Sequence, residues 1–260
     1  MDTIQYTVSA RGKYARTPVL TYLRQHFPTI PLEQIESVFG FVDPCTLYGG
    51  RPYWVRQLSD ADAGELQAHG IGVRIPLTTH TVDRREYEAN RWLLAKYHVQ
   101  GNSLIVNNDT LVPWLREDFP LYRIEASMLK MLNTHERVER ALQLYDTVVV
   151  PMEMTENTEF LRGVPHKERV TLFANGGCAL TCPARICYAR ISRMNKLLGS
   201  TSRLVRAWGY VAGVFILRCS QSRVYRKTRG VVDFDIEALH ALGFVRFKLL
   251  RARPSGQTGY

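Results

Sequence analysis

Four of the five cysteines fall in one stretch, as Cys178-x3-Cys182-x4-Cys187 and then, after 31 residues, Cys219. Four thiolates suit a zinc ion or a four-iron cluster, and spacing alone leaves both open. Zinc ribbons favour paired Cys-x2-Cys knuckles, and no such pair occurs here. Cys178 and Cys182 are one loop turn apart, near enough to share an ion. Cys187 falls on what reads as the first turn of a helix. Cys45 stands alone and reads as a buried small hydrophobe, a common role for a free cysteine. The loop Phe173-Ala-Asn-Gly-Gly-Cys178-Ala-Leu-Thr-Cys182-Pro-Ala-Arg185 leaves the end of a candidate strand. Gly176 and Gly177 there permit close backbone approach to a ligand.

The same stretch carries the protein's excess charge. The chain has 260 residues and a formal net charge of +10. Between Arg169 and Val232 stand 12 Lys or Arg and no Asp or Glu, leaving 22 basic against 24 acidic residues elsewhere. Scattered solubilising charge would mix the signs. A one-sign block of 64 residues instead points to a polyanion, RNA or DNA, or to an anionic small substrate. Arg185, Arg190 and Arg193 step along one helix, and Arg226 follows in the block. Tyr188, Trp208, Tyr210 and Tyr225 interleave with them, a mixture suited to phosphate contact and base stacking; core packing competes equally for Trp208 and Tyr210.

These residues need a frame to position them. Short β-like runs alternate with helical stretches: Ile4–Val8, Ile35–Phe41, Gly72–Leu77, Ser103–Asn107, Leu121–Glu125, Thr147–Val150, Val170–Ala174 and Val245–Leu250. They are rich in Val, Ile, Leu and Tyr, as buried parallel strands should be. Asp83–Tyr97 has helical periodicity, Thr134 reads as the N-cap of His135–Leu144, and Gly243 closes a helix over Asp235–Leu242. Eight strands alternating with helices predict an α/β fold of the (β/α)8 TIM-barrel type, one domain over 1–250 with the cysteine loop at 175–219 and an irregular tail at 251–260. Little chain follows the last strand, so the eighth helix is expected to be missing. A partner chain, in a homo- or hetero-oligomer, or the segment Ile186–Leu217, is expected to cover that side. No continuous apolar run opens the chain, and the longest, Tyr210–Leu217, is too short to span a bilayer, so the expected compartment is cytoplasmic.

In such barrels the carboxyl ends of the strands carry the chemistry. His80, Asn107, Asn108, Glu125, Glu153 and Asn175 lie at those predicted ends and form the expected catalytic mouth, although each alone reads more readily as a loop cap. Peptidase chemistry finds little support. His135-Glu136 lacks the second histidine of a His-Glu-x-x-His motif, and no Gly-x-Ser-x-Gly elbow occurs. Phosphate-binding and dinucleotide-binding glycine loops are absent too.

Ala174-Asn175-Gly176-Gly177-Cys178 and Cys182-Pro183-Ala184-Arg185 resemble the cysteine loop of the collagenase-like U32 peptidase family. Tyr48-Gly49-Gly50-Arg51, Asp118-Phe119-Pro120, and Gly243-Phe244-Val-Arg-Phe247-Lys248-Leu249 resemble other parts of that family in the same order, so the likeness spans nearly the whole chain. The resemblance implies a (β/α) barrel with a 4Fe-4S iron–sulfur cluster on Cys178, Cys182, Cys187 and Cys219. It also implies oxygen-independent hydroxylation of an RNA base or a quinone ring, with prephenate as an oxygen donor.

The expected function is oxidative modification of a nucleobase in nucleic acid, bound through the basic block 169–232. Two alternatives stand beside it: hydroxylation of a small aromatic or quinone-like substrate, and a non-catalytic nucleic-acid-binding module with a structural metal.

Overall fold

A computed structural model describes residues 3–50, 56–176, 187–221 and 232–250, with side chains over the same ranges except at 187 and 213–221. Eight parallel strands close into a barrel. They are β1 (Gln5–Ser9), β2 (Ile35–Phe39), β3 (Gly72–Leu77), β4 (Ser103–Val106), β5 (Arg123–Ala126), β6 (Thr147–Val149), β7 (Val170–Phe173) and β10 (Arg246–Leu249), and β10 pairs with both β7 and β1. The expected barrel is present. Each predicted strand lies on an observed one, with at least one end one or two residues off except at β3, which matches throughout.

Alternation explains the closure. In β3, Val73, Ile75 and Leu77 join the core between strands and helices, while Arg74 and Pro76 turn to the barrel axis. The six helices α1 (Val19–His26), α2 (Asp60–Ala68), α3 (Arg84–Lys96), α4 (Leu111–Asp118), α5 (His135–Leu144) and α6 (Thr158–Gly163) form the outer layer. Their starts are set by local chemistry. Ser59 and Asp62 form a capping box for α2, Asp83 caps α3, and Thr134 caps α5 as its sequence position predicts.

After β7 the pattern is interrupted. A two-residue strand β8 (Asn175–Gly176) pairs antiparallel with β9 (Val232–Asp233). Between them come helices α7 (Cys187–Leu198) and α8 (Arg203–Gln221), which pack together, and α9 (Ile236–Ala241) then leads into β10. Gly243 follows α9 with φ +96°, the left-handed stop read from the sequence.

The segment expected to cover the side beside the last strand is described in part. Through α7 it docks on the loops after β2 and β3: Asn195 Nδ2 donates to the Tyr48 carbonyl at 2.7 Å, and Ser192 Oγ accepts from the His80 amide at 3.1 Å. These bonds satisfy polar groups of both loops and so fix the position of α7. The tail at 251–260 lies outside the described residues.

Candidate active site at the barrel mouth

Ionisable side chains fill the lower part of the barrel. Arg74 is almost fully buried and spends its guanidinium on three partners: Ser103 Oγ at 2.8 Å, Glu125 Oε2 at 2.9 Å and Glu36 Oε2 at 2.9 Å. Glu36 also takes Arg246 at 2.6 Å and Arg123. Burial alone would raise the Glu36 carboxyl, but these three guanidiniums outweigh it and hold it at about 2. Glu125 Oε2 further accepts from Thr171 Oγ1 at 3.0 Å and Thr147 Oγ1 at 3.4 Å. Burial pushes its carboxyl up, and Arg74 and Lys248 pull it below the usual value.

Above this network lies a cavity of about 150 Å³. Its lining comes from the carboxyl ends of the strands and the loops beyond them: Ser9, Phe39, Pro76, Ile105, Phe173 and Lys248 from the strands, then Arg11, Gly49, Gly50, Thr78, Ser127 and Met152. A cavity of that size lined by apolar groups accommodates a single six-membered ring. Among the described residues that line it, Arg11 and Lys248 carry charge and none is a carboxylate. The site therefore favours a small, ring-sized body with an electron-rich or anionic edge.

The glycine turn at 49–50 shapes one wall. A Cβ on Gly49 would lie 2.2 Å from the Thr78 carbonyl oxygen, and one on Gly50, which has φ +83°, 2.9 Å from the Tyr188 ring. Gly49→Ala is therefore expected to cost ~1–3 kcal/mol in urea unfolding, because the obstacle is backbone. Gly64→Ala, in α2 with nothing near its Cβ position, should be neutral or stabilising.

Lys248 is the cavity residue that the sequence reading passed over. It pairs in register with Thr7 and Phe173, is 7% exposed, and rests its Nζ 4.6 Å from the centre of the Phe39 ring. A lysine flanked by the apolar Phe247 and Leu249 was the available signal.

The predicted mouth residues disperse. Glu125 is not at the mouth but one layer below it, because β5 runs one residue further than read and position 125 faces the axis. The Asn107 carbonyl accepts from Lys130 Nζ at 3.2 Å, and Asn108 Nδ2 donates to the His80 carbonyl at 3.0 Å. His80 is exposed on the loop after β3, and partial burial of its ring lowers its pKa. Glu153 lies in the short 3-10 turn after β6, and Asn175 Oδ1 is buried and accepts from the Leu250 amide at 2.9 Å. None of these five other residues lines the cavity.

Cys178, Cys182 and Arg185 fall outside the described residues, as do Tyr225 and Arg226. Cys187 and Cys219 are described through their helical backbone, at the start of α7 and near the end of α8. The residues flanking the loop do reach the mouth. Gly176 is buried with its Cβ position 3.2 Å from Met152 Sδ, and Tyr188 lines the cavity directly. Cys45 is buried in the core, and burial pushes its thiol up to about 12. Among the described residues, no group of three or more His, Cys, Asp or Glu side chains is arranged to hold a metal ion.

The basic block divides by role. Arg169 is structural, donating to the carbonyls of Leu142, Tyr145 and Asp146, and Lys196 pairs with Glu86. Arg190 and Arg193 are exposed on α7, opposite its buried Ile191, Met194 and Leu198. On α8, Trp208 and Tyr210 are 65% and 54% exposed, so core packing does not hold them.

No family model matches the sequence, and no curated protein matches it. Among solved structures the chain is similar to the U32 peptidase Mk0906, with a TM-score of 0.58 and 13% identity over 97% of this chain and 94% of that one. At that identity the likeness establishes the barrel fold. No helix among the described residues is long and apolar enough to cross a membrane.

Proposed function

We propose that this barrel is an iron–sulfur enzyme that oxidatively modifies a nucleobase of a nucleic acid at the mouth cavity. The observation that carries this reading is the juxtaposition of a ring-sized cavity, without a carboxylate among its described lining residues, with both flanks of the cysteine loop. An enzyme that acts on a base must take it out of the stack into such a pocket. Phe39, Phe173 and Ile105 would bury the ring, and Arg11 would meet its carbonyl or phosphate oxygens.

The spacing of the cysteines supports a cluster at this mouth. Cys187 opens α7 one residue before Tyr188 of the cavity wall. The turn Gly199–Ser202 joins α7 to α8, and the Gly209 Cβ position meets Leu197 and Leu198 at 3.1 Å. Continued back along an antiparallel pair, that register sets position 219 level with position 187, which supports a shared site for both cysteines. Cys178 and Cys182 belong to the loop between Gly176 and Cys187, both of which flank the mouth. A cluster held there would supply electron transfer or activation of an oxygen donor such as prephenate. The chain's own part is to exclude water with the apolar wall, orient the ring, and attract the polyanion through Arg190, Arg193 and the exposed Trp208 and Tyr210.

Small-molecule hydroxylation is the second reading, favoured by the single-ring volume of the cavity. Salt separates the two. Binding to single-stranded RNA or DNA should weaken as salt rises, and the combined Arg190→Glu, Arg193→Glu and Arg226→Glu variant should show a log–log salt slope shallower by about 2 to 3. Binding indifferent to both salt and these substitutions would favour the small substrate.

A further inference from the structure

We infer that Lys248 is a reactive amine that condenses with the carbonyl of a small aldehyde or ketone, forming an imine at the floor of the mouth cavity. The inference goes beyond cluster chemistry and rests only on the mouth being a ligand site.

A lysine ammonium carries three N–H donors, and burying it without acceptors is costly. Lys248 is more than nine-tenths buried and lines the cavity. Among the described residues its Nζ makes no hydrogen bond; the nearest carboxylate oxygen, Glu125 Oε1, is 3.9 Å away. That oxygen is itself buried without a hydrogen-bond partner among the described residues. A structural ion pair would close the gap, as Lys13 and Asp62 do at 2.8 Å. Lys248 instead leans over the Phe39 ring and remains accessible from the cavity.

The charged groups around it balance in an informative way. Glu125 of β5 supports the ammonium, whereas burial and Arg74 of β3 oppose it, and burial prevails to bring the amine down to about 8. A lysine exposed to water keeps far less free amine at neutral pH. A desolvated amine of this kind is the nucleophile of imine-forming enzymes.

The step balances without any oxidant. The nitrogen lone pair adds to the carbonyl carbon, and the nitrogen loses its protons as the carbonyl oxygen leaves as water. The products are one C=N bond and one water molecule. Phe39, Ile105, Phe173 and Met152 around the cavity would shield the imine from hydrolysis. The ring-sized volume sets the substrate class at a carbonyl compound no larger than a substituted six-membered ring.

The test treats the full-length wild-type protein with stoichiometric benzaldehyde and cyanoborohydride, then maps the benzylated lysines by peptide mass spectrometry. The peptide containing Lys248 should be labelled at least about ten-fold faster than any other lysine peptide at pH 7, since each pKa unit is worth ten-fold in free amine. Labelling should occur equally with and without iron, which separates this result from the fate of the cluster proposal. Labelling spread over surface lysines with Lys248 untouched would overturn the inference. So would protection of Lys248 by chloride or phosphate at concentrations that leave other lysines unaffected, because the side chain would then be an anion contact.

Discussion

Glu125→Gln should destabilise the protein by about 3–5 kcal/mol at pH 7, the cost of leaving buried cations uncompensated. Glutamine keeps the shape of the side chain and an acceptor for Thr171, so the loss would isolate the charge. Arg74 would then depend on Glu36, which already serves Arg123 and Arg246, and Lys248 would lose its nearest carboxylate. The pH dependence has a definite sign. The folded Lys248 amine is depressed to about 8 from its usual 10.5, so between those values the unfolded chain binds more protons and stability rises with pH. Without Glu125 the amine would fall further and become neutral earlier. The deficit of the variant should therefore narrow by about 1 kcal/mol between pH 7 and pH 9 in urea unfolding. Adding Lys248→Met should recover part of it. A deficit below ~1 kcal/mol that ignores pH would mean that the interior ions are not coupled.

The second large effect concerns the thiols. Replacing Cys178 or Cys182 by serine should abolish iron retention, because a four-iron cluster needs all of its thiolates and neither hydroxyl is deprotonated at neutral pH. Cys45→Ala should retain iron. Cys45 packs in the core after β2, and its thiol, at about 12, holds its proton. Iron content after anaerobic purification reads both results. Equal iron in wild type and Cys178→Ser would remove that residue from the ligand set; loss in Cys45→Ala alone would relocate the site.

Much of the barrel was legible because its strands are bracketed by chemistry that a sequence displays. Gly70 and Gly72 open β3, Thr78 and Thr79 close it, and that strand was delimited correctly. Elsewhere the ends slipped, since the last residue of a strand is decided by its neighbour's ladder rather than by its own side chain. The slip at β5 moved Glu125 from interior to mouth in the reading. Lys248 was missed for a related reason. A lysine in a strand ordinarily signals solvent, but a closed barrel has inward positions that hold ions when carboxylates from distant strands meet them. Arg74, Glu36, Glu125 and Lys248 are 212 residues apart from first to last and share one network only after closure. The cavity glycines were visible as a turn at 49–50, and their closeness to Tyr188 was not, because α7 arrives from the far end of the chain.

The central claim is a cluster beside the mouth cavity, and the most direct measurement is the iron and acid-labile sulfide content of the full-length protein purified without oxygen, read with its absorption spectrum. The account predicts a brown protein with about four iron and four sulfide per chain and a broad charge-transfer band that bleaches on reduction. Stoichiometric zinc without iron or sulfide would contradict it, and would leave the four cysteines as a structural metal site.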